Sequence, residues 1–433
     1  MMPTTLPDWL EHLQRLHPQA IALGLDRAGE VWRRLGAPTP ARVVITVGGT
    51  NGKGSTVALL EAMLAAAGKR VGSYTSPHLL RYNERVRVAG IEADDAALVD
   101  AFARVEAARL DGAPVALTYF EFGTLAALWL FAQRDLDVAL LEVGLGGRLD
   151  AVNLIDADAA IVTTVDLDHQ DLLGPDRDSI GREKAGIFRA GRPAIIGDAG
   201  APQGLIEVAV AKRALLHVAG RDFHAEIRPP GRWRWRSGDA DLVLPLPALP
   251  APCQVANAAA AIAALQALRS RLGWFPEAIA RGVAGVQLGA RLQRFAGPPE
   301  LIVDVAHNPQ AATVLAAWLA AQPVAGRTLA VFGALADKDV EGVVAALAGQ
   351  VGAWFPGGLD GASPRGLEPA ALFTRLRRAV PESAVMPASG DIRAALAAAC
   401  AAAQPGDRVL AFGSFFVAAA ALGFMATRAA AAA

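Results

Sequence analysis

A β-branched run that tightens into glycines around one lysine, then opens into an apolar helical pattern, leaves a chain few folds to choose from. Residues 42–67 have that form: Arg42-Val-Val-Ile-Thr-Val47, then Gly48-Gly-Thr-Asn-Gly-Lys-Gly-Ser-Thr56, then Val57-Ala-Leu-Leu-Glu-Ala-Met-Leu-Ala-Ala-Ala67. Strand, glycine loop and helix in that order turn backbone N–H groups toward an anion. The helix N-terminus adds partial positive charge and Lys53 a full one. The loop departs from the strict G-x-x-x-x-G-K-[ST] pattern, because Val47 stands where the first glycine belongs and Gly54 separates Lys53 from Ser55. A glycine turn with a chance lysine would also account for these residues. The order of the three elements favours a phosphate cradle. The chain has five lysines against 36 arginines, so a lysine at the centre of such a loop is informative.

Around this turn, strand and helix patterns alternate. Residues 8–36 read as helical, and strands are expected at 42–47, 70–75, 137–142, 159–164, 301–305, 328–333 and 408–412. Helical patterns fall between most of them, at 55–67, 95–110, 121–134, 254–269 and 309–321. The alternation predicts an α/β protein with parallel sheets covered by helices on both faces. Residues 217–250 differ: Trp233-Arg-Trp-Arg236 alternates aromatic and charged side chains, as one face of a small antiparallel hairpin would. Pro245, Pro247, Pro250 and Pro252 then interrupt regular structure. Gly and Pro cluster again over 287–299, which predicts a first domain over 1–288, a linker over 289–299 and a second domain over 300–433. The alanine tail 429–433 is expected as a frayed end.

The formal net charge of −1 provides no field to gather nucleic acid or an anionic membrane, so any anion must be bound locally. Cys253 and Cys400 are too few for a disulfide framework or a zinc cluster, and they suit a reduced cytoplasm. Residues 1–10 lack the basic and apolar regions of a signal peptide. The uncharged stretch 409–425 is split by Gly413-Ser414 and reads as a buried strand followed by a helix, not a membrane span.

Several other polar groups end apolar strands. Glu142 closes one and leads into the glycine-rich bend Val143-Gly-Leu-Gly-Gly-Arg-Leu-Asp150. A carboxylate there is costly unless it meets a cation, so it is a candidate magnesium ligand or the partner of an arginine. Thr75-Ser-Pro-His-Leu79 follows another strand, and Ser76 could offer a hydroxyl to the same ion or simply form a Ser-Pro turn. Asp166-Leu-Asp-His169 follows a third, placing His169 at the same sheet edge. Lys184 lies in Ser179-Ile-Gly-Arg-Glu-Lys-Ala-Gly-Ile187. It reads either as a solvated helix lysine or as a desolvated amine able to take up CO₂ as a carbamate. Asp304-Val-Ala-His-Asn-Pro309 puts Asp304 and His307 at the carboxyl edge of the second sheet. Arg291 and Asn257 are expected, with them, to approach a nucleotide from the far side.

Taken together, these segments resemble the folylpolyglutamate synthase and dihydrofolate synthase family of the Mur-ligase-like group, along nearly the whole chain. They include Gly49-Thr-Asn-Gly-Lys-Gly-Ser55, which is the family's own form of the loop, with Ser76-Pro-His-Leu79 and Glu142-Val-Gly-Leu-Gly-Gly-Arg148. Asp168-His169, Glu183-Lys-Ala-Gly186 and Asp304-Val-Ala-His-Asn-Pro309 complete the set. Thr118-Tyr-Phe-Glu121 is similar to the pterin-binding segment of bifunctional members.

The resemblance implies a P-loop NTPase-like parallel-sheet domain followed by a smaller Rossmann-like domain. It implies ATP, two magnesium ions and a carbamylated Lys184. Thr50, Asn51, Gly52, Lys53, Gly54 and Ser55 would hold ATP phosphates, and Asn257, Arg291 and Asp304 the rest, with His307 close by. Ser76 and Glu142 would bind one magnesium and His169 the other. Thr118, Tyr119, Phe120 and Glu121, with Leu149, Asp150 and Ala151, would contact dihydropteroate. The implied activity is ATP-dependent ligation of L-glutamate to dihydropteroate and to reduced folates through an acyl phosphate, in a cytoplasmic monomer. Tail extension alone, another Mur-type amide ligase and a P-loop regulatory NTPase are the competing expectations. Phe415-Phe416 replaces a polar aromatic residue or histidine of some relatives, so no catalytic role is expected there.

Overall fold

The computed structural model describes residues 2–19 and 21–432. The chain divides into two compact units, Met1–Ala248 with Gln254–Val286, and Leu249–Cys253 with Gln287–Ala433. In the first unit the strands are β1 (Val43–Gly48), β2 (Val71–Tyr74), β3 (Val86–Val88), β4 (Ile91–Glu92), β5 (Val138–Glu142), β6 (Ala159–Val162), β7 (Pro193–Ile196) and β8 (Leu215–Val218). They form one sheet in the order β4-β3-β2-β5-β1-β6-β7-β8. From β2 to β8 every neighbouring pair is parallel, while β3 and β4 add an antiparallel edge. Every residue of β1 and β5 is buried, as expected of strands covered on both faces.

β1 lies between β5 and β6, so the chain leaves β1 toward one side of the sheet and later crosses to the other. Such a reversal opens a crevice at the carboxyl ends of the strands. The segments that follow β1, β2, β5 and β6 therefore share one sheet edge, and they carry Lys53, Ser76, Glu142 and His169 respectively.

The region expected as a hairpin is a three-stranded antiparallel sheet, β9 (His224–Arg228), β10 (Arg232–Ser237) and β11 (Ala240–Pro245), with β10 central. Trp233 and Trp235 are fully buried and donate their indole N–H groups to the carbonyls of Pro245 and Ala259 at 2.8 and 3.1 Å. The second bond fastens the small sheet to the helix Gln254–Ala267.

The second unit holds β12 (Gln293–Phe295), β13 (Glu300–Val303), β14 (Thr328–Phe332), β15 (Ala353–Pro356) and β16 (Arg408–Phe412), ordered β12-β13-β16-β14-β15. All its pairs are parallel except β12 with β13. Phe332, Trp354 and Phe412 meet at 5.0–6.2 Å in its core.

Four expectations are corrected. Residues 289–299, expected as a linker, carry β12 inside the second unit, because Gly297-Pro-Pro299 reverses the chain and lets Gln293–Phe295 pair with Leu301–Val303. The prolines do keep 246–253 free of strand and helix, as expected, but Leu249–Cys253, expected within the first domain, belongs to the second unit. Residues 8–36 form two helices, Leu6–Arg15 and Asp26–Arg34, because Pro18 and Gly24 interrupt the pattern. Of the alanine tail, 429–432 continue the helix Phe415–Ala432, and residue 433 lies outside the described residues. Among the described residues no helix is long and apolar enough to cross a membrane.

Candidate functional site

The loop after β1 is held open by two glycines that no other residue could replace without strain. Gly49 has φ +142°, and a Cβ there would lie 1.9 Å from the Thr163 hydroxyl. Gly52 has φ +88°, and its Cβ would lie 2.5 Å from Asn257 Oδ1. The loop is laced to the segment after β6. Thr50 N donates to the Thr164 carbonyl at 2.8 Å, Asn51 N to Thr164 Oγ1 at 3.1 Å, and Thr163 Oγ1 to the Asn51 carbonyl at 2.6 Å. Thr50 Oγ1 also accepts from Asp166 N at 3.0 Å. The helix Lys53–Ala66 then starts at Lys53, and the first-turn N–H groups of an α-helix have no partner within the helix. Lys53 Nζ donates to the carbonyls of Gly49 and Thr50 at 3.0 and 3.1 Å, so its charge sits over the mouth of the loop. Asn257 and Gln254 complete the cradle: Gln254 Nε2 donates to Ser55 Oγ at 3.3 Å, and Asn257 Nδ2 to Gln254 Oε1 at 2.9 Å. Asn257, expected to approach from the far side with Asp304, belongs instead to the unit that carries the loop.

Glu142 ends β5 and is 4% exposed. Because β2 neighbours β5, Ser76 lands beside it, and Ser76 N donates to Glu142 Oε2 at 3.0 Å. The bend that follows is organised by Asp150, whose carboxylate accepts from Leu145 N at 2.9 Å and from Val152 N at 3.1 Å. Burial pushes Asp150 up to about 6, against those hydrogen bonds and the charge of Lys53. Its side chain serves the bend. Leu149 and Ala151 flank it, with Leu149 half-buried and Ala151 buried.

The same bend interlocks with the lysine segment. Arg148 N donates to the Glu183 carbonyl at 2.9 Å, and a Cβ on Gly186 would lie 2.3 Å from Arg148 Cα. Lys184 is thereby buried under the bend, at 4% exposure. Burial pushes its ammonium down to about 7. The nearby charge of Lys53 acts in the same direction, and Asp168 and Asp150 oppose it. His169 takes a left-handed backbone, φ 51°, and its N–H donates to Asp168 Oδ1 at 3.0 Å.

Thr118 and Glu121 form a capping box at the start of the helix Tyr119–Ala132, with Glu121 N donating to Thr118 Oγ1 at 3.2 Å and Thr118 N to Glu121 Oε2 at 2.8 Å. Arg27 Nη2 binds Glu121 Oε1 at 2.9 Å, a partner from 94 residues away that no local pattern reveals. Phe120 lies across the glycine bend, where a Cβ on Gly144 would be 2.6 Å from its ring. Tyr119 is half-buried beside Tyr82.

In the second unit, Asp304 follows β13. Its carboxylate accepts from Leu292 N and Ala306 N at 2.9 and 2.8 Å. Burial raises its pKa, and Arg291 and His307 oppose that rise. The Arg291 guanidinium lies 5.5 Å from the Phe415 ring, and the His307 ring 6.4 Å from it. Phe415, for which no catalytic role is expected, thus packs beside both Arg291 and His307.

Two family models match the chain, the Mur ligase middle domain over residues 47–198 and the Mur ligase glutamate ligase domain over residues 290–415. The dihydrofolate synthase/folylpolyglutamate synthase of Escherichia coli (strain K12) is 47% identical over 411 residues, covering 95% of this chain and 93% of the relative. The chain belongs to the dihydrofolate synthase/folylpolyglutamate synthase family. That membership makes it an ATP-dependent ligase of Mur-ligase architecture. The Haemophilus influenzae family member is 39% identical over 430 residues, with 95% of each chain covered. Among solved structures, E. coli FolC in complex with DHPP and ADP superposes with a TM-score of 0.90 at 45% identity, covering 99% of both chains. A bifunctional folylpolyglutamate synthase/dihydrofolate synthase with Mn, AMPPNP and L-glutamate bound gives 0.88 at 42% identity, covering 98% of this chain and all of that one.

Proposed function

We propose that the protein ligates L-glutamate to dihydropteroate, giving dihydrofolate, and extends the glutamate tail of reduced folates, each time through an acyl phosphate made with ATP. One observation carries the reading: the bend from Glu142 to Asp150 joins three of the groups assigned to such chemistry. It begins at the carboxylate beside Ser76, passes under Phe120 of the Thr118–Glu121 segment, and locks against the segment that buries Lys184.

A carboxylate is a poor electrophile because its oxygen leaves badly. Phosphorylation turns that oxygen into a phosphate, which leaves well. Thr50, Asn51, Gly52, Gly54 and Ser55 hold the ATP phosphates through the loop and helix N-terminus, and Lys53 offsets charge on the transferring group. Asn257 braces the loop, and Arg291, Asp304 and His307 are assigned to ATP as the family resemblance implies. Ser76 and Glu142 would hold one magnesium ion and His169 a second. A hydroxyl and a buried carboxylate 3.0 Å from the Ser76 amide are hard oxygen donors, too few to cage an ion alone, so phosphate oxygens and water would complete its coordination. When bound, such an ion spreads the charge that develops on the phosphoryl oxygens. The neutral amine of glutamate then attacks the acyl phosphate, and phosphate departs from the tetrahedral intermediate. Thr118, Tyr119, Phe120 and Glu121 orient the pterin acid, with the backbone of Leu149, Asp150 and Ala151. A carbamate on Lys184 adds an anion beside Lys53. The working form is taken to be a cytoplasmic monomer, as in the family expectation.

ADP release measured with dihydropteroate and L-glutamate, each omitted in turn, tests this reading. Release is expected only when acid and amine are both present. Release that needs neither would identify an NTPase, and turnover with a reduced folate but not dihydropteroate would leave tail extension alone.

A further inference from the structure

The chain contains three tyrosines, Tyr74, Tyr82 and Tyr119, and all three gather around Arg85. Tyr82 and Tyr119 meet edge to face at 6.0 Å. The Arg85 guanidinium carbon lies 5.3 Å from the Tyr82 ring centroid and 5.6 Å from that of Tyr119. Its Nε donates to His78 Nδ1 at 2.8 Å. Because an arginine N–H can only donate, His78 Nδ1 is the acceptor of this bond and carries no proton.

The backbone beneath is fixed. The Glu84 carboxylate accepts from the N–H groups of Leu79, Leu80 and Arg81 at 2.7, 2.7 and 2.8 Å, and Thr75 N donates to the Arg85 carbonyl at 2.9 Å. Arg85 is half-buried, yet no carboxylate among the described residues forms an ion pair with it. Two aromatic faces and an imidazole orient this guanidinium without neutralising it. That arrangement suits a planar anion supplied by a ligand, bound through the Nη edge.

The location narrows the anion. In the sheet order β3-β2-β5-β1, Arg85 leads into β3 and its carbonyl accepts from Thr75 N after β2, whereas the bend that holds Asp150 follows β5 and the phosphate loop follows β1. Arg85 therefore lies on the other side of that bend from the phosphate loop, beside Tyr119 of the segment assigned to the pterin acid. The reacting carboxylate belongs at the phosphate loop, so Arg85 is placed for a different carboxylate of the same substrate. Dihydropteroate has none. A folate has one on each glutamyl residue.

We propose that Arg85 binds the non-reacting carboxylate of the terminal glutamyl residue of a folate substrate, and so serves tail extension but not the first ligation. This rests on the function proposed above. The test compares kcat/KM for dihydropteroate and for tetrahydrofolate in the wild-type protein, Arg85→Gln and Arg85→Lys. Arg85→Gln should lose about ten- to hundredfold with tetrahydrofolate, chiefly in KM, and stay within about threefold with dihydropteroate. Arg85→Lys, which keeps the charge without the planar fork, should fall between. The ratio of the two constants is unaffected by partial unfolding, because lost protein lowers both alike. An unchanged ratio in either variant overturns the proposal. Failure of the wild-type protein to turn over either substrate removes the underlying function instead.

Discussion

Lys53→Ala should remain folded and form ADP at about a hundredth to a thousandth of the normal rate. Among the described residues the Lys53 ammonium hydrogen-bonds only the carbonyls of Gly49 and Thr50, and the side chain is half-buried. Its removal takes a favourable charge from buried Asp150 and a repulsive one from buried Lys184, two effects of opposite sign, while water can satisfy those carbonyls and alanine is a good first residue for the helix Lys53–Ala66. The thermal midpoint should therefore move by no more than about 2 °C. Activity is another matter, because one preorganised group aimed at developing charge is worth about 3–4 kcal/mol in the transition state. Steady-state ADP release and a thermal melt on the same preparation check both halves. Normal turnover would show that the loop does not cradle the reacting phosphates.

The second large effect is expected at Lys184. Lys184→Ala should lose at least about a hundredfold in turnover. It should recover part of that loss with formate or acetate, small carboxylates that can occupy the space of a carbamate. The direction of the pH dependence follows from burial. An ordinary lysine is almost wholly ammonium at pH 7, and an ammonium cannot take up CO₂. With Lys184 held down to about 7, the neutral fraction grows as the pH rises through 7 and shrinks below it. Carbamate should therefore accumulate on the alkaline side and disappear on the acid side, which ¹³C NMR after equilibration with ¹³C-bicarbonate would report. A fully active protein whose Lys184 amine takes up no label at pH 8 would remove the modification from the mechanism.

What could be read from the amino acids alone followed the length of the signal. β16 and the helix Pro309–Ala321 match the expected limits because long uniform runs of apolar residues announce them. β7 and β15 were missed. Pro193-Ala-Ile-Ile196 and Ala353-Trp-Phe-Pro356 are four residues each with a proline at one end, too short for a period to show. In the site, Lys53, Ser76, Glu142 and His169 were legible because each follows an apolar strand, and parallel topology carries all four to one edge. Arg27 was not, since its meaning comes from a buried carboxylate 94 residues away. Asn257 is grouped with Asp304 from the sequence, and only the folded chain shows the start of the helix Gln254–Ala267 lying against Gly52 and Ser55 of the glycine loop. Arg85 carried no motif at all. Only the convergence of three scarce tyrosines on it marks it out.

The most direct measurement follows one oxygen. Dihydropteroate labelled with ¹⁸O in its carboxylate is turned over with ATP and L-glutamate, and the released phosphate is analysed by mass. An acyl phosphate intermediate requires one labelled oxygen in each phosphate released, because the carboxylate oxygen departs with the phosphoryl group. Phosphate carrying no label, alongside normal amide formation, would contradict that route.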